Sequence, residues 1–358
     1  MNQATAGVRC MLMRGGTSKG AFFVEEDLPA SPDERDDLLL RVVGSPDPRQ
    51  IDGIGGAHPL TTKVAVVSAS ARDDVDVEYL FLQPSVEDES ITARQNCGNI
   101  LAAVGPFAIE RGLVVASDAT ATVRILMRNT GGLATATFPV KAGRPVYDGD
   151  TSISGVPGTA SEIRIEFADI AGSSTGALLP TGHPLDHVDG VAVTMVDNGM
   201  PVVMLAAAAV GLSGYESCAE LEEDTMLRTR LEALRLAAGR LMNLGEVSAT
   251  TIPKMTLVAP PRDGGSIATR SFIPHRCHDA IGVLAAVSVA SACRLPGTVC
   301  DGLAHLDPAS PLVRIEHPTG SFDATVELEP GDPGTIRHAG IIRTARKLMD
   351  GMVYPRSG

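Results

Sequence analysis

Short apolar runs cut by Gly, Pro and Asp occupy most of the chain. They read LMRGG, KGAFFV, KVAVVSAS, VDVEYLFLQ, TVRILM and LATATF, then EIRIEF, VAVTMV, PVVML, KMTLVAP, ATRSFI, LVRIEH and ATVELE. Runs of this length, rich in β-branched residues and bounded by turn formers, predict strands. Helical periodicity is confined to Glu34 to Val43, Ile100 to Arg111, Ser217 to Asn243, Ala280 to Arg294 and a short last segment, Arg343 to Met349. The fold class is therefore α+β, with helices inserted among strands.

Two of these helices, Ile100 to Arg111 and Ala280 to Arg294, are apolar nearly all round, the pattern of a helix buried on every side. Each follows a polar segment containing a cysteine, Gln95-Asn96-Cys97-Gly98-Asn99 in one case and His275-Arg276-Cys277-His278-Asp279 in the other. The duplication predicts two similar halves, each a set of curved strands wrapped around one central helix. Proline and glycine cluster at Leu179-Pro180-Thr181-Gly182-His183-Pro184, which places the first half at 1–185, completed by 340–358, and the second at 186–339.

Composition narrows the function classes. A chain of 358 residues is long enough for about two domains. Aromatics are 3%, with no Trp, so base-stacking platforms for nucleic acid are not expected. The formal charge of −13 repels phosphate backbones and anionic membranes, and an anionic ligand would need a locally basic site. The six cysteines form no CxxC pair, which fits reduced thiols in the cytoplasm. No apolar run reaches the roughly 20 residues needed to cross a bilayer, and no export signal opens the chain.

Candidate chemistry lies in the polar breaks. Amides in the first turn of a helix lack intrahelical partners, so helix starts hold carboxylates, and the same field favours a thiolate at Cys97. Cysteines at helix starts are ordinarily inert core, but burying the Asn side chains of Asn96-Cys97-Gly98-Asn99 demands partners for each amide. Lys63 opens a strand after the glycine-rich Ile51-Asp52-Gly53-Ile54-Gly55-Gly56; a lysine desolvated there is a candidate base, although most strand-end lysines are solvated. Arg14-Gly15-Gly16-Thr17-Ser18-Lys19-Gly20 is a natural cradle for carboxylates and equally an ordinary hairpin turn. Gly172-Ser173-Ser174-Thr175-Gly176 and Asp197-Asn198-Gly199-Met200-Pro201 are further polar loops. The eight His are scattered, and neither a P-loop, a GxGxxG dinucleotide fingerprint nor a GxSxG elbow is present, so no metal and no cofactor are expected.

Arg14-Gly15-Gly16-Thr17-Ser18-Lys19-Gly20, Gly44-Ser45-Pro46-Asp47-Pro48-Arg49-Gln50-Ile51-Asp52-Gly53, Asn96-Cys97-Gly98-Asn99 and Asp197-Asn198-Gly199-Met200-Pro201, in this order, resemble the PrpF family of isomerases over essentially the whole chain. GPFAIERGL, MNLGEV, PKMTLVAPPRDGG, RSFIPHRCH and RTARKLMDG are most similar to its 4-oxalomesaconate tautomerase branch. The resemblance implies a diaminopimelate epimerase-like fold, two pseudo-symmetric halves with the active site in the cleft between them. It implies cofactor-free proton transfer by a lysine and the first-half cysteine, which fall on Lys63 and Cys97, in bacterial gallate or protocatechuate breakdown. The resemblance implies that a small tricarboxylate is held by Arg14, Thr17, Ser18, Asn96, Gly98, Asn99, Ser173, Ser174, Asn198 and Arg276. A homodimer is compatible with this reading; nucleic-acid and membrane partners are not expected. Alternatives are 1,3-allylic isomerisation of the same substrate, isomerisation of aconitate-like or methylitaconate-like acids, and carboxylate binding without turnover. Whether Cys277 stands where the amino acid epimerases of this fold carry a second thiol is left open.

Overall fold

Strand after strand pairs with its neighbour in sequence, as expected for short apolar runs separated by tight turns. The structure is a computed structural model and describes residues 7–94, 96–117 and 119–357; Gln95 of the predicted cysteine segment lies outside them. The chain divides into two compact units, Met1–Glu166 with Ile342–Gly358, and Phe167–Ile341.

In the first unit β1 (Val8–Gly15) and β2 (Ser18–Val24) form a hairpin, followed by α1 (Pro32–Val43), β3 (Lys63–Ala69), β4 (Val77–Pro84) and β5 (Ile91–Thr92). Next come α2 (Gly98–Leu101), α3 (Val104–Glu110), β6 (Ala119–Met127), β7 (Gly132–Lys141), β8 (Arg144–Pro145) and β9 (Ile163–Ala168). Strand β2 runs parallel to β3, β3 antiparallel to β4, β4 parallel to β6 and β6 antiparallel to β7. Helix α3 is central: Val104 to Ile109 are all buried.

The second unit repeats this order. It begins with β10 (Asp186–Val188), β11 (Val191–Asp197), β12 (Pro201–Ala206), α4 (Cys218–Glu223) and α5 (Thr225–Leu241). It continues through β13 (Lys254–Ala259), β14 (Ile267–Ile273), β15 (Arg276–Cys277), α6 (Val283–Arg294), β16 (Leu312–His317), β17 (Gly320–Glu329) and β18 (Asp332–Arg343). Strands β11 and β12 form the hairpin, β12 runs parallel to β13, β13 antiparallel to β14, β14 parallel to β16 and β16 antiparallel to β17. Helix α6 is the central helix here, buried without interruption from Ala285 to Cys293. Each unit is thus a sheet built around one apolar helix, with its amphipathic helices packed elsewhere. On α5, Leu227, Leu231, Leu234 and Ala238 recur at helical spacing and enter the core with Met195, Leu205 and Leu257.

Strand β19 (Ala345–Val353) completes the first unit, antiparallel to β1. The sequence reading of Arg343 to Met349 as a helix is therefore corrected. Extended, the segment completes the β1 edge and brings Lys347 Nζ to 2.8 Å from Glu110 Oε2, and Asp350 Oδ1 to 2.8 Å from Arg111 Nη1. Tertiary pairing overrides the weak local preference. The predicted Ile100 to Arg111 helix divides into α2 and α3, because Pro106 in the third position of α3 has no N–H to return to Ala102. The predicted Ser217 to Asn243 helix breaks at Asp224, whose extended backbone lets Oδ1 cap the Leu227 N–H at 2.8 Å. The predicted Ala280 to Arg294 helix starts at Val283, with Gly282 as its N-cap.

Candidate active site

The register places several predicted residues at one end of the first sheet. The β1–β2 turn ends at Ser18, Gly20 stands opposite Lys63 at the start of β3, and Val64 opposite Leu82 near the end of β4. Helix α2 packs on β1 and β2 at that end. A Cβ on Gly15 would lie 2.4 Å from the Asn99 carbonyl oxygen, and one on Gly16 would lie 2.1 Å from Asn99 Oδ1. Only glycine permits that approach, and Gly16 also has a φ of +48°. Asn99 then holds the turn: its Nδ2 donates to Thr17 Oγ1 at 3.1 Å, and its Oδ1 accepts from the Thr17 N–H at 3.4 Å and Arg343 Nε at 3.2 Å.

Lys63 is 8% exposed. Its Nζ donates to Gln83 Oε1 at 2.6 Å and lies 5.2 Å from the Phe81 ring centroid. Gln83 Nε2 donates to the Thr62 carbonyl at 2.8 Å and the Pro84 carbonyl at 3.2 Å, so the amide oxygen is left facing the ammonium. The glycine-rich loop before Lys63 is organised by buried Gln50, whose Oε1 accepts from Thr62 Oγ1 at 2.6 Å and the Ala57 N–H at 2.8 Å. The sequence motifs contain Gln50 and Arg343 without marking a role for either, and Gln83 falls outside them. A lone amide closing the apolar run YLFLQ was the available signal for Gln83.

Cys97 is half-buried and stands at the N-cap of α2 with an extended backbone. Its carbonyl accepts a long hydrogen bond of 3.5 Å from the hydroxyl of fully buried Tyr79. Burial, followed by the nearby Cys97, pushes the Tyr79 phenol well above its ordinary value, so Tyr79 stays neutral. Leu101 N–H donates to the Cys97 carbonyl at 2.9 Å, and among the described residues the amides of Gly98, Asn99 and Ile100 have no backbone acceptor. Ser18 Oγ, 1% exposed, and the buried Asn96 Oδ1 have no hydrogen-bond partner among the described residues.

Other predicted residues have commitments of their own. Arg14 Nη1 donates to the carbonyls of Gly16 and Thr344 and to Thr344 Oγ1 at 2.8–3.0 Å, bracing the hairpin turn against the chain before β19. Burial and the charge of Arg346, its cross-strand neighbour, lower its basicity. Asn96 Nδ2 donates to Thr130 Oγ1 at 2.6 Å.

In the second unit Ser173 and Ser174 are exposed on a loop gathered around Asp197. Asp197 Oδ2 accepts from the N–H groups of Ser174 and Thr175 at 2.8 and 3.0 Å and from Thr175 Oγ1 at 3.1 Å. Burial raises the Asp197 carboxyl above its ordinary range against the pull of these bonds. Asn198 is 2% exposed and donates through Nδ2 to Ser291 Oγ of α6 at 2.8 Å. Arg276 is exposed, 3.5 Å from Glu222.

Cys277 lies on β15, five residues before Gly282, just as Thr92 on β5 lies five before Cys97. By topology the counterpart of Cys97 is Gly282. The Cys277 sulfur is 3.2 Å from that of Cys218, and burial pushes its thiol far up.

Comparison with known proteins agrees with this architecture. The chain is 56% identical over 347 residues to the 4-oxalomesaconate tautomerase of Pseudomonas putida, covering 97% of this chain and 95% of that one. It is 56% identical over 346 residues to the (4E)-oxalomesaconate Delta-isomerase of Novosphingobium sp., covering 96% of each. Among solved structures, a methylitaconate-delta-isomerase superposes with a TM-score of 0.91 at 34% identity, covering 99% of this chain and 96% of that one. A probable proline racemase from Agrobacterium radiobacter, at a TM-score of 0.51 and 14% identity over 96% of this chain and 92% of its own, shares the fold alone, which is diaminopimelate epimerase-like. The PrpF protein family model matches residues 5–356, and the chain belongs to the PrpF family.

Proposed function

We propose that this protein is a cytoplasmic, cofactor-independent isomerase that moves a proton on 4-oxalomesaconate, interconverting it with the enol 4-carboxy-2-hydroxymuconate in bacterial gallate or protocatechuate breakdown. The observation that carries the proposal is 56% identity, over nearly the full length, to two relatives named for oxalomesaconate chemistry. The geometry of the first unit supports it. The substrate carries a CH2 between a ketone and a carbon-carbon double bond, so loss of one proton gives a dienolate delocalised over both. Lys63, held by Gln83, and Cys97, at the start of α2, are the proton carriers. The amides of Gly98 and Asn99, without a backbone acceptor among the described residues, would stabilise developing oxyanion charge. The hydroxyls of exposed Ser173 and Ser174 are available to carboxylates, and buried Ser18 Oγ is without a partner among the described residues. Arg14, Asn96, Asn198 and Arg276 already have partners within the protein and would contribute with their remaining donors or by holding the loops.

Reprotonation on oxygen gives the enol; reprotonation on the far carbon gives the allylic isomer. The second outcome is favoured by the name of the Novosphingobium relative. Proton NMR of the reaction in D2O separates them. We expect exchange at the substrate CH2 with transient enol absorbance. Label only on the terminal carbon, without enol, establishes allylic isomerisation instead, and no enzyme-dependent exchange leaves a carboxylate-binding protein.

A further inference from the structure

Lys63 has a structural counterpart. It opens β3, which runs parallel to the second strand of a hairpin; Lys254 opens β13, which runs parallel to β12 with Val202 opposite Lys254. Both lysines are buried, at 8% and 9% exposure. Their surroundings differ in one respect. Continuing the β3–β4 register by one residue puts Gln83 beside Lys63; the same step along β13–β14, from Met255 opposite Phe272, puts Ile273 beside Lys254. Among the described residues no hydrogen-bond acceptor and no carboxylate meets the Lys254 ammonium.

The charged group that acts on it is Arg235. Arg235, fully buried, is held by Glu232 at 2.7 and 2.9 Å and by the carbonyls of Val247, Thr250 and Ile252. Burial and the Arg235 charge bring Lys254 down to about 8. His278 is pushed down by burial and by Lys254, partly offset by Asp279. Its Nδ1 accepts the Ala280 N–H at 2.9 Å, so the proton of the neutral ring sits on Nε2 as a donor. Asp279 acts on His278 and Cys218, not on Lys254. Most of the side chain is buried, and among the described residues no protein acceptor meets its ammonium, so water or a ligand must supply one.

We propose that Lys254 is a carboxylate-binding residue of the second unit, receiving one carboxylate of a di- or tricarboxylate ligand. The proposal rests on the functional reading above only for the choice of ligand class. Such a carboxylate supplies the acceptor that Gln83 supplies to Lys63 and makes the charged form of Lys254 favourable.

The probe is tricarballylate, a saturated tricarboxylate without a ketone, titrated calorimetrically into the full-length protein. Lys254→Met should weaken binding by roughly ten- to a hundredfold, the range for one hydrogen bond to a charged group, with Lys254→Arg recovering part of the loss. In the wild-type protein, tricarballylate should protect Lys254 from reductive methylation while exposed Lys141 is modified as before; this readout needs no variant and decides the matter if Lys254→Met does not fold. Absence of tricarballylate binding, unchanged affinity in folded Lys254→Met, or protection of Lys63 without Lys254 overturns the inference. Because no turnover is read, Lys254-dependent binding in a protein inactive on 4-oxalomesaconate sinks the functional proposal and leaves this one standing.

Discussion

At the scale of single residues the side chains with functional potential are those whose environment does not already use them. Lys63 keeps donors beyond the one given to Gln83, and Cys97 is half-buried, whereas Cys10, Cys277, Cys293 and Cys300 are buried and Cys218, half-buried as well, has its thiol pushed up by burial. Burial pushes the Cys10 thiol up to about 12. Iodoacetamide at neutral pH should therefore modify Cys97 first, as read by peptide mass spectrometry; faster modification of Cys277 would contradict the assignment of Cys97. Lys63→Met and Cys97→Ala should each lower kcat by about 10²- to 10⁴-fold with the thermal transition unchanged. A folded variant retaining more than about a tenth of wild-type kcat removes that residue from the proton path. Lys254 supplies a stability test. Its folded value of about 8 lies below the unfolded value of about 10.4, so its contribution is present above the unfolded value and is lost as pH falls through 8. The Tm difference between Lys254→Met and wild type should grow in favour of the variant from pH 10.5 to pH 8. A constant difference would mean that Lys254 is solvated.

At the scale of elements, the strands and the buried helices were legible because their signals are local. Period and turn residues suffice for β3 or α6, and an all-apolar face can only be core. What was not legible depends on partners distant in sequence. Residues 345–353 are strand because β1 needs an edge partner and because Glu110 and Arg111 meet Lys347 and Asp350 there. The motif around Arg14 reads equally as a carboxylate cradle and as a hairpin turn, and only the fold brings Thr344 to it. The Arg111 side chain is 2% exposed, so Asp350→Asn should cost about 1–3 kcal/mol in chemical denaturation by leaving a buried guanidinium underpaired. Asp350→Glu should recover part of that loss. Equal stability of Asp350→Asn and wild type would mean that the β1–β19 pairing alone holds this edge.

At the scale of the whole chain, two units share one strand order, and the departures from that repeat are more informative than the repeat itself. A lysine opens the equivalent strand in both units, but the first pairs it with Gln83 and sets Cys97 at the helix start, while the second has Ile273 and Gly282 at those places. A two-thiol mechanism of the amino acid epimerase kind needs a cysteine at both helix starts. Here the second unit has none at that position, and Cys277 is on the preceding strand against Cys218, with its thiol held protonated by burial. The segments around Cys97 and Cys277 look alike in sequence and leave their equivalence open, because distance to a helix can be read only where the helix start is known. Cys277→Ser should therefore fold and retain kcat within about threefold, far inside the 10²-fold loss of a missing acid or base. Thermal denaturation is the control, because a hydroxyl in that apolar setting destabilises without touching chemistry. A folded but inactive Cys277→Ser would return Cys277 to the proton path and replace the lysine–cysteine mechanism with one that uses both thiols.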